Sequence, residues 1–167
     1  RFDENISLMR RQQTSVGLTN IDPKSVDATS KITLVKRAQD MAWGMDSSVV
    51  QVKVIYGDGS RNVFIANSQG FIAEDNRDSV IFVVQGIVAR DSLMETGYES
   101  IGGTRGLELM EELPPEEIAE RTISRALKAI KARKAPGGIM PVVLSSEAGG
   151  TMVHEAIGHG LEADLAG

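Results

Sequence analysis

Between Val50 and Val88 the apolar residues arrive in short runs, several of them alternating, and each run is closed by residues that turn a chain. Val50, Val52, Val54 and Tyr56 alternate with Gln51 and Lys53, the pattern of a strand with one buried face. Gly57-Asp58-Gly59-Ser60 predicts a turn into Val63-Phe64-Ile65-Ala66. Asn67-Ser68-Gln69-Gly70 predicts a second, into Phe71-Ile72-Ala73, and Asn76-Arg77-Asp78 a third, into the apolar run from Val80 to Val88. Strands this close in sequence favour an antiparallel meander, because parallel neighbours need crossovers of about a dozen residues or more.

Helical periodicity flanks this stretch. From Ser30 to Trp43, Ile32, Val35, Ala38 and Ala42 recur at three- and four-residue steps, while Lys31, Lys36, Arg37 and Asp40 fall mostly off that stripe. The Asp27-Ala28-Thr29-Ser30 cluster offers a cap, and Gly44 is placed to end the helix. Pro114-Pro115-Glu116-Glu117 opens a second helix, with Ile118, Thr122, Ile123, Ala126, Leu127 and Ile130 as its buried stripe and Pro136-Gly137-Gly138 as its stop. Residues 139–144 read as a short buried strand, and a small-residue loop from Ser145 to Gly150 leads into a last helix. The segment from Tyr98 to Thr104 fits a further strand or a glycine-rich loop. Its spacing matches neither the P-loop nor the dinucleotide fingerprint, so it is read as a bend between strands. The fold class is therefore α+β: an antiparallel β-meander packed with amphipathic helices, followed by a strand and a motif-bearing helix. The division expected is 1–112 for the first helix and sheet, and 113–167 for the helix, strand and motif helix.

Composition narrows the function. A chain of 167 residues with 41% hydrophobic residues can bury a core. A formal charge of -5 argues against broad contact with a phosphate backbone. Arg121, Arg125, Lys128, Lys131, Arg133 and Lys134 form a local basic run, which reads as the solvated end of a helix complementing its own dipole. No apolar run approaches the roughly 18 to 20 residues that span a bilayer, and the first 25 residues contain no signal-like apolar core. With no cysteines either, a soluble, cytoplasmic protein is expected. The start at Arg1 and the end at Gly167, just after the last helix, suggest a piece of a longer protein.

That last helix carries both histidines of the chain, in His154-Glu155-Ala156-Ile157-Gly158-His159. Two imidazoles and a carboxylate supply two nitrogen ligands and one oxygen ligand, a toolkit for a hydrolytic zinc centre. The spacing is awkward. In a regular helix, residues five apart stand roughly 140° around the axis from each other and about 7.5 Å along it, too far for one ion. A π-type bulge or an early helix end between Ala156 and Gly160, eased by Gly158, would restore alignment. Alternatively, Glu155 and His159, four apart, share the face, with Glu155 as ligand and His154 as an outer or catalytic group. A third reading makes both histidines simple polar residues on a partly wet face. Glu162 and Asp164 fit either surface charges or outer partners.

The run from Gly149 to Asp164, Gly-Gly-Thr-Met-Val-His-Glu-Ala-Ile-Gly-His-Gly-Leu-Glu-Ala-Asp, resembles the signature of the TldD/PmbA family, specifically its TldD-type metalloprotease subunit. The upstream order of helix, meander with an Asn-Ser-x-Gly turn, second helix and short strand is similar to the middle part of that family. The resemblance implies a zinc-dependent peptidase (Zn2+) in which His154 and His159 bind metal and Glu155 is the general base. It also implies a third ligand, a cysteine far toward the C-terminus, which this chain lacks, so the site here is expected to be incomplete. The implied substrates are unfolded or leader peptides, and the implied partner is a homologous, metal-free PmbA/TldE-type subunit in a heterodimer, or a second copy in a homo-oligomer. A family description as a modulator of DNA gyrase leaves open a regulatory or assembly module that binds a partner protein.

Overall fold

The computed structural model describes residues 9–10 and 19–166. The expectation of no signal-like core in the first 25 residues falls largely outside them. One compact unit ends at Ala132 and a second runs from Arg133 onward. In the first, helix α1 (Ala28–Gly44) begins where Asp27 Oδ1 accepts from the Ser30 N–H at 3.0 Å, so the predicted cap and the terminal Gly44 both hold. Three antiparallel strands follow: β2 (Val49–Ala66), β3 (Phe71–Arg90) and β4 (Leu93–Gly103), with β3 in the middle. A two-residue strand, β1 (Met9–Arg10), pairs parallel with the start of β3. The segment read as a bend between strands is thus part of β4.

The meander has fewer corners than its turn residues suggest. Of the three predicted turns only 67–70 exists, where Asn67 Oδ1 accepts from the N–H groups of Gln69 and Phe71 at 3.0 and 3.1 Å and Gly70 takes a φ of 80°. The other two clusters run on as strand because they pair with one another: Gly59 with Ser79, Ser60 with Asp78, Arg61 with Arg77, Asn62 with Asn76. Their polar side chains find partners across the ladder and from α1. The Ser60 hydroxyl donates to Asp78, and Lys31 Nζ reaches Asp58 Oδ2 at 2.7 Å.

A short helix α2 (Leu109–Glu112) precedes α3 (Pro115–Ala129), which packs on β3 and β4 and against α1. Val80, Phe82, Val84 and Val88 alternate along β3 and meet Ile118, Ile123 and Ala126 of α3 and Ala38 and Ala42 of α1 in the buried core. The contact is close. Gly86 and Gly97 are paired across β3 and β4, and a Cβ on Gly97 would stand 1.9 Å from the Thr122 carbonyl oxygen, one on Gly86 2.3 Å from Ile123 Cδ1. Two facing glycines thus form the seat of α3. Thr122, fully buried there, donates its hydroxyl to the Ile118 carbonyl at 2.8 Å. The basic residues of α3 are solvated as expected and partly paired, Arg121 with Glu117 at 2.6 Å and Arg125 with Glu99 at 3.1 Å.

Glu108 gave no signal in the sequence, yet it is buried and accepts from the N–H groups of Ile21 at 3.0 Å and Gly106 at 2.9 Å, tying the approach to α1 to the approach to α2. Burial alone would raise its pKa; the backbone N–H groups of Ile21 and Gly106 overcome that and hold the carboxyl below its ordinary range.

Residues 139–144 correct the expectation of a buried strand. They carry no regular structure, and Ile139 and Val143 are 109% and 99% exposed. Apolar, β-branched residues favour a strand only when a ladder accepts them, Pro141 lacks a donor, and no described strand pairs with them. Among the described residues no helix is long and apolar enough to cross a membrane.

Gly97→Ala is expected to destabilise the chain by about 3 kcal/mol or more in urea titration, whereas Gly103→Ala, with nothing within 4 Å of the added methyl, should be close to neutral. Because a depressed folded-state pKa stabilises above the ordinary value of 4.5 and loses that contribution as pH falls through the folded value, Glu108→Gln should flatten the acid limb of the stability curve. Thermal melts of both proteins between neutral and acid pH would measure it.

Candidate metal centre

Helix α4 (Ser146–Val153) begins after the small-residue loop and does not continue regularly into the histidines. Its next turn, His154–Gly158, is a π-helix in which the His159 N–H bonds to the His154 carbonyl five residues back. A 3₁₀ turn, His159–Leu161, and a short helix α5 (Ala163–Ala166) complete the segment. The break predicted between Ala156 and Gly160 is present, centred slightly earlier.

One wide turn has a specific consequence. It removes the misalignment a five-residue step would have in a regular helix, because an i→i+5 hydrogen bond returns the chain to the same face one residue later than an α turn does. The His154 and His159 rings therefore meet, centroids 4.7 Å apart at an interplanar angle of 75°. Glu155, four residues before His159, also shares that face, with its Oε2 3.4 Å from His159 Nε2. The two geometries open in the sequence are thus not alternatives: one ligand-capable atom from each of His154, Glu155 and His159 lies within 4.8 Å of the others, and all three residues are exposed. Glu162 joins them through a contact between its Oε1 and His159 Nδ1 at 2.6 Å, while Asp164 lies exposed in the first turn of α5.

Gly158 plays a different part from the one its flexibility suggests. Its φ and ψ are -56° and -50°, ordinary right-handed values open to any residue. A Cβ there would stand 3.6 Å from His154 Nδ1, in van der Waals contact with the ring. A methyl group fits there, and glycine is not needed for the backbone path.

The donor chemistry fits a borderline divalent ion of the zinc type. Two neutral imidazole nitrogens with a carboxylate beside them suit such an ion better than the all-oxygen sets taken by magnesium or calcium. His154 and His159 would hold it. The set is partial, since zinc takes four ligands and the chain has no cysteine.

The glycine-rich strand ends make no rival site. Gly57, Gly59, Gly102 and Gly103 line an open trough of about 560 Å³ across the sheet, where Asp58 is the one ionisable lining residue and is already paired with Lys31. Among the described lining residues there is no Lys or Arg to pair with a phosphate.

Comparison with known proteins gives a consistent result. The family model described as the PmbA/TldA metallopeptidase central domain matches residues 21–130. A metalloprotease of Methanothermobacter thermautotrophicus is 34% identical over 86% of this chain and 31% of its own length. The metalloprotease TldD homolog of Haemophilus influenzae is 32% identical over 85% of this chain and 30% of its own length. Among solved structures, a Thermotoga maritima protein described as a modulator of a DNA gyrase superposes with a TM-score of 0.62 at 27% identity, covering 83% of this chain and 30% of that one. The chain spans less than a third of the length of these relatives.

Gly158→Ala should leave far-UV circular dichroism and divalent-cation uptake unchanged, as its dihedrals and Cβ space allow. Gly158→Leu, which crowds the His154 ring, should weaken uptake. Loss of helix signal in the alanine variant would show that the wide turn needs glycine after all.

Proposed function

Since the chain belongs to the TldD/PmbA metallopeptidase family, we propose that it is the motif-bearing part of a zinc-dependent peptidase, with His154 and His159 as metal ligands and Glu155 as the general base. The observation that carries this reading is the π-turn, which gathers the three side chains on one face where a regular helix would separate the two rings. When bound, the zinc ion supplies Lewis acidity, polarising a scissile carbonyl and making a water more acidic. Glu155, adjacent to His154 in sequence and 3.4 Å from His159, takes a proton from the attacking water and passes it to the leaving amine.

The substrates proposed are unfolded or leader peptides, which can thread a main chain past exposed side chains as a folded surface cannot. Pairing of the intact protein with a homologous PmbA/TldE-type subunit, or with a second copy, is proposed as well. It is supported by the sheet face opposite α1 and α3, where Ile55, Ile81, Met94 and Tyr98 are exposed. A cytoplasmic setting remains part of the proposal.

In the full-length protein, Glu155→Gln should retain zinc by elemental analysis while peptide hydrolysis falls by roughly 10²- to 10⁴-fold. His154→Ala and His159→Ala should each lose the metal. Full activity in the glutamine variant would refute the role of Glu155, and unchanged zinc in either alanine variant would remove that histidine from the ligand set.

A further inference from the structure

We infer that Glu162 is a positioning residue that fixes which nitrogen of His159 faces the metal. The inference rests on the reading of His154, Glu155 and His159 as a cation site, and it adds a fourth side chain with a different task.

An imidazole has two nitrogens, and a neutral ring can offer a lone pair to a cation from only the one that carries no proton. In this structure the two nitrogens of His159 face different neighbours. Nδ1 lies 2.6 Å from Glu162 Oε1, a short, charge-assisted distance. Nε2 faces the donor cluster, with Glu155 Oε2 3.4 Å away. A carboxylate only accepts, so the bond to Glu162 requires Nδ1–H to donate. With Nδ1–H as the donor, a neutral ring carries its lone pair at Nε2, on the side of His154 and Glu155.

The backbone places Glu162 for this role. The 3₁₀ turn that follows His159 closes with the Glu162 N–H on the His159 carbonyl at 3.3 Å, and Glu162 then leaves the turn in extended conformation with ψ of 143°. The Leu165 N–H bonds back to the Glu162 carbonyl at 3.0 Å. A tight turn bonded on both sides thus returns the Glu162 side chain to the ring of His159, three residues earlier. As a bare surface ion pair this contact would matter little. Its effect comes through the ring it orients, since carboxylates that hold a ligating histidine typically change metal affinity by about 10- to 100-fold.

The test has one readout that needs no metal. Long-range proton–nitrogen spectra of the imidazoles, recorded on this chain at about pH 8, where a free imidazole is neutral, should show His159 as the Nδ1–H tautomer. Glu162→Ala should move it toward Nε2–H, Glu162→Gln should keep it because the amide oxygen still accepts, and His154 should stay unchanged throughout. Zinc titration of the full-length protein carrying the same substitutions should give a dissociation constant about 10- to 100-fold weaker for Glu162→Ala, with substantial recovery in Glu162→Gln. An Nε2–H tautomer in the wild type, or a tautomer and zinc affinity indifferent to Glu162→Ala, would overturn the inference. If His159→Ala weakens zinc binding and Glu162→Ala does not, the inference fails while the metal site stands. If His159→Ala leaves zinc binding of the full-length protein unchanged, or the full-length wild type binds none, the metal site fails and the inference with it.

Discussion

The folded unit depends on how closely α3 lies on the sheet. The Thr122 backbone and the Ile123 side chain occupy the space that side chains at Gly97 and Gly86 would fill, so a facing pair of glycines decides where the helix sits. From that contact the rest of the core follows. With α3 seated there, Val80, Phe82, Val84 and Val88 lie beneath it and beside Ala38 and Ala42 of α1, and the even-numbered positions of β3 from Val80 to Val88 are closed to water. Close packing of this kind leaves little tolerance for an added methyl.

A local device of a different kind makes the candidate site. The two rings of the His-Glu-x-x-x-His segment can meet because one turn is wider than the helix around it. π-turns are uncommon and recur at functional sites, where the extra residue redirects side chains that a regular helix would spread. Here the extra residue aligns His154 with His159, and the 3₁₀ turn that follows tightens the chain again and returns Glu162 to the opposite edge of the His159 ring. A wide turn followed by a narrow one thus surrounds a single imidazole with a carboxylate on each side.

Much of this was legible in the residues, for reasons that can be stated. The α1 cap at Asp27, the buried stripe of α3 and the turn at Asn67–Gly70 each follow from local chemistry, an oxygen for an N–H, a period near 3.6 and a glycine at positive φ. The break in the motif helix followed from helix geometry once both rings were required to reach one ion, since two rings five apart could not otherwise meet. What misled was chemistry whose meaning depends on a distant partner. Gly57-Asp58-Gly59-Ser60 and Asn76-Arg77-Asp78 look like turns singly and become strand because they face each other, and residues 139–144 look like strand and lack a ladder. Glu108 and the seat at Gly86 and Gly97 were invisible because a single acid or glycine does not announce which backbone will approach it. Gly158 was singled out for its freedom, yet its dihedrals are open to any residue and a methyl there would meet the His154 ring at van der Waals distance.

The central claim is that the wide turn brings His154 and His159 to one ion. The most direct measurement is an anomalous difference map at the zinc edge from crystals of the zinc-loaded, full-length protein. The account predicts one strong peak about 2.0 to 2.1 Å from a ring nitrogen of each histidine, with the turn at 154–158 still π-helical. A peak elsewhere, or a regular helix through this segment with the two rings pointing apart, would contradict it.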